Sequence, residues 1–148
     1  METGDLLVDA QSAFARQRRG RRCERLVSRI RGAAAETSRL RALEDALGAT
    51  PPSARRMAGL QAIPVDSIVG TAEPTKARVF DRRFRVSESS RHRWERLWIA
   101  GRKGASLPPI SVFRVGDEHF VDDGHHRVSV ARSLGMVAID AEVTELAT

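Results

Sequence analysis

The residues best equipped for chemistry are bunched in one stretch, Phe120-Val-Asp-Asp-Gly-His-His-Arg127. The pattern reads as a strand, a tight turn and the start of a helix. Gly124 allows the backbone to turn sharply and lets a ligand approach with no Cβ in the way. The amides from His125 to Arg127 are then the unpaired donors of a helix N-terminus, which favours anions through free N–H groups and its dipole. Arg127 adds a forked, permanently charged donor that matches phosphate geometry. His126 can donate, or exchange a proton near neutral pH. Asp122 and Asp123 stand just ahead of the turn. They repel a bare phosphate unless a divalent cation lies between, or unless one of them orients a histidine. The plainer alternative is that one aspartate caps the helix and the histidines are ordinary surface residues. His119, Asp122, Asp123, His125 and His126 also raise a metal site. Neighbouring helical histidines point about 100° apart, however, and rarely share one ion.

The elements that must position this turn follow from periodicity. Residues 5–31 read as helical, with Leu7, Ala10 and Phe14, then Leu26, Val27 and Ile30, at helical spacing and Gly20 as an interruption. A second helix is expected from Glu36 to Leu47, stopped by Gly48. Ala49–Ser53 reads as a linker. The division expected is therefore an Arg-rich helical region over 1–52 and a main domain over 60–148. In that domain Leu60–Ile63 is a short strand, Asp66–Val69 a turn, and 71–87 mostly irregular. A helix over 91–101 follows, capped by Ser89 or Ser90, with Trp94, Leu97 and Trp98 on its apolar stripe. Ile110–Val115 and Glu118–Asp122 form a hairpin around Gly116-Asp117. His125–Leu134 is a helix stopped by Gly135, and Ala138–Val143 a last strand. Val128, Ala131, Leu134, Trp94, Leu97, Ile110 and Val112 are the expected core.

Composition narrows the function classes. In 148 residues, 41% are hydrophobic, enough for a core. The longest apolar runs, such as Leu97–Ala100 and Met136–Ile139, fall far short of the roughly 20 residues of a spanning helix. The opening Met-Glu-Thr-Gly-Asp carries no basic segment of a secretory signal. One cysteine, Cys23, excludes an internal disulfide framework, so a reducing cytoplasm is the expected compartment and a membrane is not an expected partner. The net charge is +6, and all but two of the 25 basic residues are arginine. Residues 1–60 hold 12 Arg against 7 acids, 61–114 hold 11 bases against 5 acids, and 115–148 hold 2 bases against 7 acids. The basic field thus lies upstream of the acidic C-terminal part. Such a field attracts nucleic acid or phosphorylated ligands without setting a sequence preference. Its densest part, Arg16, Arg18, Arg19, Arg21 and Arg22, reads either as a solvated helix face or as a nucleic-acid contact.

From Ala62 to Val143 the chain resembles the ParB and sulfiredoxin-like superfamily. The resemblance is carried in order by Ile63-Pro-Val-Asp-Ser-Ile68, Arg78-Val-Phe-Asp81, Gly104-Ala-Ser-Leu-Pro-Pro-Ile110, and Phe120 to Arg132 followed by Leu134-Gly135. It implies an α+β fold, α/β-like, with a small mixed sheet and helices. Partition proteins of that superfamily carry Gly-Glu-Arg-Arg at the turn, and here only Gly124 and Arg127 match. Sulfiredoxins carry Gly-Gly-Cys-His-Arg; His125 occupies the cysteine position, so sulfinic-acid repair is expected to be absent. The form Asp-Gly-His-His-Arg looks closest to the free-serine-kinase branch, which needs a carboxylate base, for which Asp66 and Glu73 are candidates. The resemblance implies a nucleotide or phosphorylated small molecule held by Gly124, His125, His126 and Arg127, with Gly104 and Pro109 on the opposite wall. A nucleoside di- or triphosphate (ATP, ADP or CTP) with Mg²⁺ on Asp122 or Asp123 is the expected cofactor set. An enzymatic activity, if present, is NTPase or phosphotransferase, with Asp66 and His126 as catalytic groups. The alternatives are a DNA-associated regulatory module that uses the five arginines, and a metal-dependent nuclease. Non-specific DNA and a homodimer stay open as partners.

Overall fold

The computed structural model describes residues 4–32 and 39–148. In chain order the elements are α1 (Leu6–Ile30), β1 (Arg41–Ala42), α2 (Leu43–Leu47), β2 (Ala54–Pro64), β3 (Ile68–Thr71), α3 (Arg91–Arg102), β4 (Ile110–Val115), β5 (Glu118–Asp123), α4 (His125–Ser133) and β6 (Ala138–Ala147). The architecture is α+β. Six strands make one mixed sheet in the order β1-β3-β5-β4-β6-β2. β4 and β5 form the expected antiparallel hairpin at its centre, with Phe113 opposite Phe120. β6 returns parallel to β4, and β2 closes the edge antiparallel to β6. On the other side β3 runs parallel to β5.

α1 is a single helix through Gly20, where an interruption was expected. The glycine serves packing instead of termination. A Cβ there would lie 2.8 Å from Arg85 Cζ, so its absence lets that guanidinium rest on the helix. Asp5 caps the helix start by accepting the amide of Leu7. Ala10, Ala13 and Phe14 share one hydrophobic cluster with Trp94 and Trp98 of α3, Val128 and Val130 of α4, and Val112, Val121, Ala141 and Val143 of the sheet. Phe14 meets Trp94 edge-on at 5.6 Å between ring centroids. Trp94 donates its indole N–H to Ser129 Oγ at 2.9 Å, which ties α3 to α4. The aromatic stripe read from sequence is therefore core, with Trp94 fully buried and Leu97 and Leu134 half-buried at its margin.

The other departures are local. The helix expected over Glu36–Leu47 begins in residues outside the described set; of the remainder, Arg41–Ala42 is a strand and only Leu43–Leu47 is helical. The strand pairs with β3 because Gly70 admits the Arg41 carbonyl, which would lie 2.1 Å from a Cβ. β2 begins at Ala54, well before Leu60, because its partner β6 also runs on to Ala147. The turn expected at Asp66–Val69 is confined to Val65–Ser67, and Ile68 already belongs to β3. Phe80 and Phe84 do share a side, both buried, with Phe84 at φ 58°.

Candidate functional site

β5 delivers the chain to Gly124, which sits in the left-handed region at φ 110° and starts α4. A Cβ at this position would lie 2.4 Å from Ile110 Cγ2 and 3.2 Å from an Arg127 amino nitrogen. Glycine is thus required twice over, by the backbone angle and by the close approach of β4. No side chain caps α4. The first intrahelical bond is the Val128 amide to the Gly124 carbonyl, at 3.1 Å. The amides of His125, His126 and Arg127 therefore lack intrahelical acceptors, as any helix start requires. They border a cleft of about 540 Å³ lined from one side by Asp122 to Arg127, and from the others by Glu73, Thr75 and Lys76 and by Arg93, Arg96 and Leu97.

The two histidines are fastened inward. His125 is buried, its Nε2 2.7 Å from Thr71 Oγ1 and its ring stacked on Phe80 at 5.6 Å. His126 Nε2 lies 3.0 Å from Ser90 Oγ, and its ring meets Phe80 edge-on at 5.0 Å. Ser90 stands at the N-cap position of α3, but its hydroxyl caps nothing there; it serves His126. Burial is the main cause that lowers both imidazoles to about 4, with Lys76 adding for His125 and Arg93 for His126. Both rings are consequently neutral at pH 7. They anchor the helix start to the core and leave the charge at the cleft to other residues.

Arg127 is held by three acceptors. One amino nitrogen donates to the carbonyls of Pro108 and Pro109, at 2.6 and 2.8 Å. The other faces Asp123 at 3.3 Å, whose carboxylate is 80% exposed. An exposed pair of this kind contributes at most about 1 kcal/mol, so an incoming anion can replace Asp123 at small cost. Pro109 thus acts through its carbonyl on Arg127. Gly104 stands clear of the cleft at the end of α3, at φ 79° with open space around it. Asp122 and Asp123 both lie exposed on the cleft wall. Asp66 lies elsewhere: it is exposed in the Val65–Ser67 turn, and the charge it acts on is Arg132, at the far end of α4. Glu73, the second carboxylate candidate, does line the cleft. Sequence reading missed Lys76, Arg93 and Arg96. The signal for the arginines was their three-residue spacing on the polar face of α3.

Of the five arginines on α1, Arg21 donates to the carbonyls of Val79 at 2.8 Å, Arg85 at 3.3 Å and Arg78 at 3.4 Å. Arg18 pairs with Glu88 at 3.0 Å. These two bind α1 to the 78–88 segment, whereas Arg16, Arg19 and Arg22 are exposed. Among the described residues no group of three or more His, Cys, Asp or Glu is arranged to hold one ion. No described helix is long and apolar enough to cross a membrane.

No family model and no curated protein matches the chain. Among solved structures, a sulfiredoxin from Arabidopsis thaliana aligns at 18% identity and a TM-score of 0.42, over 57% of this chain and 82% of that one. A likeness of that size bears on no residue's role.

Proposed function

We propose that the cleft at the start of α4 binds the phosphate groups of a nucleotide or a phosphorylated metabolite. The observation that carries the reading is the convergence at Gly124: uncapped helix amides, a backbone no other residue can adopt without displacing Ile110, and the Arg127 guanidinium laid against the same turn. Lys76, Arg93 and Arg96 add positive charge around the cleft. Phosphate oxygens accept from the amides of His125–Arg127 and take over the Arg127 donors that face Asp123. The residues also fit a magnesium ion, because Asp122 and Asp123 supply exposed hard oxygen ligands on the same wall. A bound Mg²⁺ would neutralise phosphate charge beside those carboxylates, and Asp123, released from Arg127, is the oxygen donor nearest the turn. If a phosphoryl group is transferred, Glu73 is better placed than Asp66 to accept the proton of an acceptor hydroxyl, since it borders the cleft. The neutral His126 is a positioning residue through Ser90. Resemblance of the Asp-Gly-His-His-Arg turn to nucleotide-using relatives supports the same reading.

The test is calorimetry with ATP, ADP and CTP, with and without Mg²⁺. Arg127→Ala removes a charge-assisted contact worth roughly 1.5–3 kcal/mol, a loss on the order of ten- to a hundredfold in affinity. His126→Ala costs less. Arg132→Ala, at the other end of the helix, leaves binding as it was. Equal affinity of wild type and Arg127→Ala for every phosphate ligand that binds would reduce the turn to a helix start.

A further inference from the structure

A second concave surface lies between α1 and the segment that precedes Phe84. It measures about 530 Å³ and is lined by Arg21, Arg25, Arg29, Arg39 and Arg78, with Glu24 and Asp81 as its only carboxylates among the described residues. Arg21, Arg25 and Arg29 recur every four residues on one face of α1, so they stand about 6 Å apart along the helix axis. Arg39 and Arg78 come from other parts of the chain. The carboxylates offset only part of this array. Glu24 is committed to Arg82 and to Arg85 at 3.0 Å. Asp81 is buried; one of its oxygens accepts the amides of Arg83 and Arg85, both at 2.9 Å. Its other oxygen has no hydrogen-bond partner among the described residues, although Arg85 stands 3.7 Å away. Arg21 is tied to three carbonyls; burial is the main cause that lowers it, the Asp81 carboxylate opposes that, and the positive charges of Arg25 and Arg18 add to it.

We propose that this cleft is a second anion site, separate from the α4 turn, which takes a ligand carrying two or more phosphate groups in a row. With Arg21 committed to carbonyls, the guanidinium forks of Arg25, Arg29, Arg39 and Arg78 still exceed what a single anion can satisfy, and the spacing of Arg25 and Arg29 along α1 suits successive phosphates. An acidic peptide fits less well. Among the described residues, Ala77 and the buried Phe80 are the only apolar side chains in the lining, so these offer little for peptide side chains to pack on. The chemistry is shared by a free polyphosphate and by the backbone of a single nucleic-acid strand.

The experiment uses the full chain carrying Arg127→Ala, so that the α4 turn reports roughly ten- to a hundredfold more weakly and any binding left there is common to every variant compared. The probes are inorganic tripolyphosphate, a short single-stranded oligothymidylate and a short oligoglutamate, followed by calorimetry and fluorescence anisotropy at two salt concentrations. Arg25→Ala with Arg29→Ala should weaken tripolyphosphate or oligothymidylate binding at least tenfold. Both side chains are exposed, so melting should hardly change. Arg19→Ala with Arg22→Ala, an equal charge change on exposed parts of the same helix, should have less than a threefold effect. Tighter binding of the oligothymidylate, with a salt slope of about 0.7 per contact, names the strand as the source. Tighter binding of tripolyphosphate names the free polyphosphate. The proposal is overturned if the two double variants weaken binding equally, if neither phosphate probe binds, or if oligoglutamate binds as well as they do. None of these outcomes touches the α4 site, which the Arg127→Ala comparison judges alone.

Discussion

The two clefts are both rich in arginine, yet they are built in opposite ways. At the α4 turn the backbone does the positioning: a left-handed glycine, uncapped amides and one guanidinium pinned by two carbonyls meet within four consecutive residues. Between α1 and the 77–81 segment the described lining comes from three stretches of the chain, and its charge is carried by side chains. A backbone site is rigid before any ligand arrives and tolerates no change at its glycine. A side-chain site depends on the docking of α1 and tolerates single substitutions, because each guanidinium supplies one share of a distributed field. The same difference decides where each cleft is vulnerable.

Phe14→Ala should separate them most. It empties the space against Trp94 and should cost about 3–5 kcal/mol, as large-to-small aromatic changes in cores do. Denaturant unfolding should show this, and hydrogen exchange should show α1 amides opening before those of the sheet. Phosphate binding at α4 should outlast the loss of the arginine cleft as denaturant rises; simultaneous loss of both would mean that the two sites form one cooperative unit. Gly124→Val is the mirror experiment. The positive φ and the clash with Ile110 together should cost roughly 2–5 kcal/mol, with nucleotide binding abolished and tripolyphosphate binding at α1 kept. Gly104→Ala, also at positive φ but with nothing near its Cβ, should cost only about 1 kcal/mol. Equal melting temperatures for Gly124→Val and Gly104→Ala would refute the packing account of the turn.

Acid should act on the α4 cleft through its two histidines, with His119 of β5, also lowered by burial, as a further group outside it. His125 and His126 are lowered to about 4 in the folded chain, chiefly by burial. The unfolded chain therefore takes up protons first as pH falls below about 6.5, the ordinary histidine value. Stability is unaffected above that value and is lost as pH falls from there toward 4. By pH 5 the loss should be about 2 kcal/mol for each histidine, or about 4 kcal/mol for the pair, measured by denaturant titration and reduced in the His125→Gln, His126→Gln double variant. A double variant with the same acid sensitivity as wild type would place the titrating groups elsewhere.

The α4 turn was legible in the sequence because everything that defines it lies within one short stretch. Gly124 and Arg127 could be read as neighbours in space because a helix makes them so. Their surroundings were less legible. Asp66 looked like a base from its place in a motif, but the β3 register carries it to the Arg132 end of α4 and leaves Glu73 at the cleft. The histidines looked like ligand contacts, and only the fold shows Thr71 and Ser90 drawing them inward. The density of Arg16 to Arg22 was plain, but not which guanidiniums are spent on carbonyls. Arg21 acts as a strut, while Arg25 and Arg29, outside the cluster, face a cleft. The strand hydrogen bonds that lengthen β2 and create β3 depend on partners far along the chain, which a local pattern does not record.

The seating of Phe14 on Trp94 bears on how the basic helix can be studied and inherited. Cutting away residues 1–31 to ask whether their charges touch DNA would also strip the cover from the tryptophans. The truncated chain would bind less because its core is uncovered and its fold weakened, and the result would be misread as lost contacts. The charges are open to question only one at a time, with the apolar side of the helix left in place. Over longer times the same holds for recombination. A gene fusion that supplied this domain without its leading helix would deliver an exposed aromatic surface, so helix and sheet must travel together as one heritable piece.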